Sequence, residues 1–239
     1  EAINERTAAV ACPIMETPGT LPLPEVAKIA HARGVPVIVD AAAQLPPRAN
    51  LRRFIAEGAD LVAFSGGKAI MGPQSSGILA GRADLIASVA LQHQDMDVRS
   101  ATWNKRGLIE DRSVAGIPHQ GFGRSMKVGR EEIVGLVTAL KIFAAGDDQR
   151  DAAEWSLRLD PIEQALIDLP FVRMKRVEKN LIPQLVIEID EAAAGITAYE
   201  VSRQLLEGEP AVAVGESRAE FGALNVVSRG MNVSEAEQV

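Results

Sequence analysis

Ala59-Asp60-Leu61-Val62-Ala63-Phe64-Ser65-Gly66-Gly67-Lys68 is the stretch on which the fold turns. Its apolar centre is short enough for a buried parallel strand, and it ends in a hydroxyl, two glycines and a lysine. Upstream, Val35-Pro36-Val37-Ile38-Val39 is a second apolar run, ending in Asp40. Between the two, residues 50–57 read as a helix, with Asn50 as its N-cap and Gly58 as its stop. Further upstream, Thr7-Ala8-Ala9-Val10-Ala11-Cys12 predicts a buried strand. Residues 25–33 predict a helix with Val26, Ile29 and Ala30 on one face, closed by Gly34. Downstream, residues 77–80 read as a fourth strand and 83–93 as a helix. Strand, helix, strand, helix, strand at this spacing predicts a parallel α/β sheet with right-handed crossovers. Ligands in such sheets bind beyond the carboxyl ends of the strands, and Asp40 and Lys68 both fall there.

A carboxylate and an amine at two strand ends are what pyridoxal 5'-phosphate (PLP) requires of a protein. The lysine holds the aldehyde as a Schiff base, and the aspartate keeps the pyridine nitrogen protonated so that the ring accepts electrons. Taken singly, neither residue carries that reading. A lysine after a strand is ordinarily solvated, and an aspartate at a strand end is ordinarily a cap or turn residue. Context shifts both. Gly66 and Gly67 permit a tight backbone, and the Ser65 hydroxyl can hydrogen-bond a phosphate. A Schiff-base lysine must be neutral to attack, so Lys68 is expected where burial lowers its pKa. Asp40, between four apolar residues and three alanines, is expected to have a specific cationic partner, a pyridinium or an arginine. Gly72-Pro73-Gln74-Ser75-Ser76-Gly77 is either a turn or a loop whose amides and Gln74 side chain approach a phosphate. Arg124 and Lys127, in Gly121-Phe122-Gly123-Arg124-Ser125-Met126-Lys127 near His119, read equally as surface charges or as an anion-binding loop. The 59–68 run is not a Walker motif, since no glycine stands five residues before Gly67 and Ala69 replaces the Ser or Thr.

At 239 residues the chain can bury a full core, and one large domain with a smaller one is expected. No apolar run reaches the length of a membrane span, and no signal segment is visible at the start. The single cysteine, Cys12, cannot form an internal disulfide and reads as a buried apolar thiol, so the expected compartment is the cytoplasm. A net charge of -7 argues against a general nucleic-acid surface, because phosphate contacts need clustered Lys and Arg. His31, His93 and His119 lack metal-ligand spacing, and no metal is expected. The chain opens without Met into strand-like material and closes on what reads as a helix start, so both ends read as fragment ends.

Residues 92–129 are polar, rich in Arg and Gly, and without periodicity, which makes them a functional or partly disordered loop. Ile133, Leu136, Val137, Leu140 and Phe143 then mark a helix with one apolar stripe, stopped at Gly146. Asp160-Pro161-Ile162-Glu163 opens another, with an N-cap, a first-turn proline and a capping-box glutamate. Leu185, Ile187 and Ile189 alternate with Val186, Glu188 and Asp190 as a strand. Thr197-Ala198-Tyr199-Glu200 is a second capping box, and residues 211–214 and 222–227 read as strands. The division expected is 1–150, a PLP-binding large domain with a connecting helix, and 151–239, a small α+β domain.

Several of these runs together resemble one family. They are Ile38-Val39-Asp40-Ala41-Ala42-Ala43-Gln44-Leu45-Pro46-Pro47, Phe64-Ser65-Gly66-Gly67-Lys68-Ala69-Ile70, Gly72-Pro73-Gln74, and Gly123-Arg124-Ser125-Met126-Lys127-Val128-Gly129-Arg130-Glu131-Glu132-Ile133. They resemble the bacterial PLP enzymes related to L-seryl-tRNA selenium transferase, especially the D-glucosaminate-6-phosphate ammonia-lyase-like branch. The resemblance implies a fold-type-I architecture, α/β with a mostly parallel sheet, partial in this chain, and a small C-terminal α+β domain. It implies Lys68 as the Schiff-base lysine, Asp40 as the pyridinium partner, Ser65 and Gln74 as cofactor contacts, and active sites at the interface of a homo-oligomer. Met71 stands where members often carry Arg, and the N-terminal half of the large domain, with its phosphate-binding helix start, is missing from the resemblance. The activity implied is α,β-elimination with ammonia release from a 2-amino-3-hydroxy acid such as a phosphorylated amino-sugar acid, with Arg124 or Lys127 on the phosphate. The alternatives are transfer onto seryl-tRNA, which the acidic balance disfavours, and a truncated chain without catalysis.

Overall fold

The computed structural model describes residues 2–14, 18–94 and 120–238. They form two compact units, Glu1–Ala145 and Gly146–Val239. In the first, strands β1 (Val10–Pro13), β2 (Val37–Asp40), β3 (Leu61–Ser65) and β4 (Gly77–Gly81) make one sheet in the order β1-β2-β3-β4. The first three are parallel, joined by helices α1 (Leu23–His31) and α2 (Asn50–Ala56), with Cys12 opposite Val39 and Asp40 opposite Ala63. β4 runs antiparallel to β3, because residues 66–76 return directly without the helical crossover that a parallel partner needs. Helices α3 (Ala83–Gln92) and α4 (Arg130–Ala145) complete the unit.

The core of this unit lies on one face of the sheet. β2 alternates, with Val37 and Val39 buried and Ile38 and Asp40 exposed. β1 is only half-buried, where the sequence predicts a strand covered on both sides. Leu23, Ala27 and Ala30 of α1 pack on Val37, Val39 and Val62, and Phe54 of α2 meets Phe64 with ring centroids 6.3 Å apart. Leu136 and Phe143 of α4 close the cluster. Asn50 is not the N-cap of α2: that place is held by Ala49 without a side-chain bond. Asn50 is buried, and its Nδ2 donates to the Gln44 carbonyl at 2.6 Å.

The second unit begins with α5 (Asp148–Leu157) and α6 (Asp160–Leu166) and continues with β5 (Val172–Lys179), β6 (Ile182–Ile189), α7 (Glu191–Ala194) and α8 (Ala198–Glu207). It ends with β7 (Gly215–Arg218), β8 (Ala223–Val227) and α9 (Val233–Ala236). Its sheet is antiparallel, in the order β5-β6-β8-β7. The β5–β6 hairpin turns at Asn180 and Leu181, both at positive φ. Residues 211–214 are not a strand; the strand follows at β7. Asp160 and Glu163 do not cap α6 but both bind Arg176 of β5. At α8, Thr197 Oγ1 accepts from the Glu200 amide, while the Glu200 carboxylate turns to Arg203, so only half of the predicted capping box forms. Leu159, Ile162, Leu185 and Val226 make the main apolar cluster, and Ala198, Ala219 and Leu224 a smaller one. Among the described residues no helix is long and apolar enough to cross a membrane.

Candidate active site

Asp40 closes β2 at the carboxyl edge of the first sheet. Its backbone is held on both sides: its carbonyl accepts from Ile14 N at 3.1 Å, and the next amide, Ala41 N, donates to the Ala63 carbonyl at 2.9 Å. The loop beyond is tied down by side chains. Gln44 Nε2 donates to the Ile14 carbonyl at 3.1 Å, and Asn50 holds the Gln44 carbonyl in turn. The Asp40 carboxylate is exposed, and its Oδ1 accepts from the Ala42 amide at 2.9 Å. Among the described residues no cation pairs with it. The expected apolar enclosure is not formed, because the odd residues of β2 take the core and Asp40 falls on the other face.

Lys68 follows β3 at the same edge, on a turn whose backbone is closely bonded. Gly66 N donates to the Ser76 carbonyl at 2.9 Å, Gly72 N to the Gly66 carbonyl at 2.8 Å, and Met71 N to the Lys68 carbonyl at 3.0 Å. Gln74 Nε2 donates to the Gly67 carbonyl at 3.1 Å, and Ser76 Oγ to the Pro73 carbonyl at 2.6 Å. The two glycines are required by close approach. A Cβ on Gly66 would lie 2.2 Å from Ser76 Oγ, and one on Gly67 would lie 2.6 Å from Gln74 Cα. Lys68 itself is exposed, against the expectation of burial, because the turn projects from the sheet while Ala69 and Ile70 carry the burial. Ser65 ends β3 opposite Gly77. The structure therefore gathers Asp40, Ser65 and Lys68 at one sheet edge and sets Gln74 against the lysine turn.

Arg124 and Lys127 lie on and just after a short 3-10 turn at Arg124–Met126, both exposed. That segment folds onto the end of α3: Gly123 N donates to the Gln92 carbonyl at 2.9 Å and Gly121 N to the Gln94 carbonyl at 3.2 Å. A Cβ on Gly123 would meet the His93 ring at 2.2 Å, so His93 is the histidine that lies against this loop. His119, and residues 95–119 of the predicted functional loop, lie outside the described residues. Among the described residues no group of three or more His, Cys, Asp or Glu is placed to hold a metal ion.

Sequence reasoning missed Asp60, the buried carboxylate of the first unit. It stands at the opposite, amino edge of the sheet. Its Oδ2 accepts from the Val37 amide at 2.7 Å and pairs with His31 Nε2 at 2.8 Å, and its Oδ1 accepts from Arg82 Nη1 at 3.0 Å. Burial pushes the carboxyl pKa up; the Val37 amide, His31 and Arg82 outweigh it and hold the group below its ordinary value. Cys12 is half-buried, and burial raises its thiol pKa, which disfavours the nucleophilic thiolate.

The fit of PLP to the first edge is a matter of donor chemistry and space. The cofactor offers a ring N–H, an aldehyde and a phosphate; the edge offers an exposed carboxylate, an exposed amine and a strand-end hydroxyl. The two glycines add no side chains of their own to the turn that carries the amine. These residues fit the group.

Comparison with known proteins places the chain in a family. Residues 1–221 match the family model described as aminotransferase class-V. A 5'-C-glycyluridine monooxygenase-decarboxylase from Streptomyces sp is 29% identical over 100% of this chain and 54% of its own length. D-glucosaminate-6-phosphate ammonia lyase from Salmonella typhimurium is 30% identical over 99% of this chain and 56% of its own. A solved structure of D-glucosaminate-6-phosphate ammonia-lyase superposes with a TM-score of 0.73 at 28% identity, covering 99% of this chain and 56% of that one. Shorter stretches match L-seryl-tRNA(Sec) selenium transferases, including one from Rhizobium meliloti at 42% over 83 residues. The chain spans about half the length of the relatives it matches along its whole extent.

Proposed function

The chain belongs to the aminotransferase class-V family of fold-type-I PLP enzymes, and from that premise we propose that it carries the lysine and aspartate of a PLP-dependent ammonia-lyase. The substrate class is a 2-amino-3-hydroxy acid with an anionic far end, such as a phosphorylated amino-sugar acid. One observation carries the reading: Asp40 ends one strand and Lys68 follows its parallel neighbour, both exposed at the carboxyl edge.

When bound, PLP supplies an electron sink for the charge left at the substrate Cα. The residues do the rest. Lys68 Nζ is the amine that holds the cofactor through its aldehyde carbon. As a free amine it would take the Cα proton as general base. The Asp40 carboxylate would hold the proton on the ring nitrogen, and the Ser65 hydroxyl would bond the cofactor phosphate. Arg124 and Lys127 bind the phosphate of the substrate. Loss of the Cα proton and the β-hydroxyl, together one water, would leave an enamine. Its imine tautomer would consume one water on hydrolysis and release ammonia and a 2-oxo acid.

The test begins with a visible spectrum of the chain mixed with PLP, borohydride reduction and peptide mapping. The expected outcome is an absorption band and a reduced adduct on Lys68, both lost in Asp40→Ala, followed by ammonia release from phosphorylated 2-amino-3-hydroxy acids. Full PLP binding and turnover in Asp40→Ala would refute the role given to Asp40.

A second reading has its own support in the 29% identity to a monooxygenase-decarboxylase along the whole chain. There the bond broken at Cα is to the carboxylate, and dioxygen is consumed. Carbon dioxide release with oxygen uptake, in place of ammonia release under nitrogen, would select it. Transfer onto seryl-tRNA needs a basic surface that a net charge of -7 does not favour, and salt-insensitive failure to retain tRNA would exclude it.

A further inference from the structure

We infer that Gln74 is a positioning residue, which acts on the lysine turn by holding the Gly67 carbonyl and makes no contact with the cofactor phosphate. The inference rests on the reading of Lys68 given above and deepens it. The Gln74 side-chain amide donates one N–H to Gly67 O at 3.1 Å. That carbonyl belongs to the peptide unit immediately before Lys68, so its direction sets the direction of the Lys68 backbone. Space supports the same role. Gly67 lies so near Gln74 that an added Cβ would stand 2.6 Å from both Gln74 Cα and Oε1. Side chain and turn are therefore packed as well as bonded.

Gln74 closes this turn through its side chain. Three further bonds, Gly66 N to Ser76 O, Gly72 N to Gly66 O and Met71 N to Lys68 O, are backbone to backbone. They anchor Gly66 on one flank and Met71 and Gly72 on the other. Between them, Gly67 and Lys68 are exposed or half-exposed. Without the Gln74 amide the Gly67–Lys68 peptide has no partner for its carbonyl other than water, and two adjacent glycines allow it to rotate. An amine that must meet an aldehyde in one orientation loses reactivity when its backbone samples several.

The test uses the full chain and the variant Gln74→Glu, which keeps length and shape but offers the Gly67 carbonyl no donor at neutral pH. Two quantities are read in wild type and variant. The first is the rate of borohydride-trapped PLP labelling at Lys68 relative to Lys141 in the same sample. The second is hydrogen exchange at the Met71 and Gly72 amides without PLP. Loss of one side-chain hydrogen bond predicts a fall in relative labelling of about fivefold and faster exchange by a similar factor. Gln74→His, which restores an N–H donor, should recover part of both. Unchanged labelling and exchange in Gln74→Glu would overturn the proposal. So would lost labelling with unchanged exchange, which would place Gln74 on the cofactor itself. If wild-type Lys68 labels no faster than Lys141, the cofactor reading falls and the exchange comparison alone decides the brace.

Discussion

A carboxylate placed before an apolar run looks like a turn residue, and Asp60 is written that way in the sequence. Its role depends on partners that the chain supplies from 29, 23 and 22 residues away: His31, the Val37 amide and Arg82. Nothing local announces them, so Asp60 was not legible, whereas the places of Asp40 and Lys68 at the carboxyl edge of the sheet were, because one ends an apolar strand and the other follows one. The His31 and Arg82 side chains are 46% and 53% exposed, so solvent screens their share, and the Val37 amide is the largest single cause that lowers the pKa. The folded pKa of Asp60 lies below its unfolded value of about 3.9. Its contribution to stability is therefore complete above about pH 4 and is lost as pH falls through the folded value. Asp60→Asn should lower unfolding stability by about 1–2 kcal/mol near neutrality, with the gap to wild type closing below about pH 4. Urea titrations near pH 7 and near pH 3 check this, and an equal gap at both would mean that the charge of Asp60 is not what the site uses.

For the elements, the sequence spoke clearly where periodicity or punctuation sufficed. The stripe Ile133, Leu136, Val137, Leu140 and Phe143 predicts a helix, and α4 is one. Which of those residues are covered was not legible: Leu136 and Phe143 are buried, while Ile133 and Val137 are 50% and 44% exposed. A period identifies an apolar face; what lies opposite depends on elements far along the chain. Phe143 illustrates it, since its carbonyl accepts from Arg48 Nε and its ring lies 4.6 Å from the Arg48 guanidinium, 95 residues away. The turn after β3 has the same double origin. Gly-Gly predicts a tight backbone, yet the reason it must be glycine is Leu136 and Ser76. A Cβ on Gly66 would stand 2.8 Å from Leu136 Cδ1 and 2.9 Å from the Ser76 carbonyl oxygen, which is itself bonded to Gly66 N. Gly66→Ala is expected to cost about 1–3 kcal/mol of unfolding free energy. Gly230→Ala, with open space around the new methyl group, should stay near wild type. If the two variants unfold alike in guanidinium, the packing at Gly66 does not constrain the turn.

At the scale of the molecule, two units with separate apolar clusters raise the question of whether they unfold as one. The first unit announces itself by alternating strands and helices, and its parallel core was legible for that reason. Half of the second sheet was not. β5, with Arg173, Lys175, Arg176, Glu178 and Lys179, has little apolar content, and it is a strand because β6 pairs with it along its whole length. Its basic side chains also suit an edge strand, where they oppose pairing with another chain. Leu185 at the centre of β6 is fully buried against Leu159, Ile162 and Val226, all from the second unit. Leu185→Ala leaves a void there and should cost about 2–5 kcal/mol. If each unit is a cooperative folding unit, hydrogen exchange will accelerate across residues 146–239, while the amides of Val37, Val39 and Val62 keep wild-type protection. Parallel loss of protection in β2, β3 and β6 would instead show that the clusters stand or fall together. In that case a lesion anywhere in the second sheet would reach the Lys68 edge through global unfolding alone.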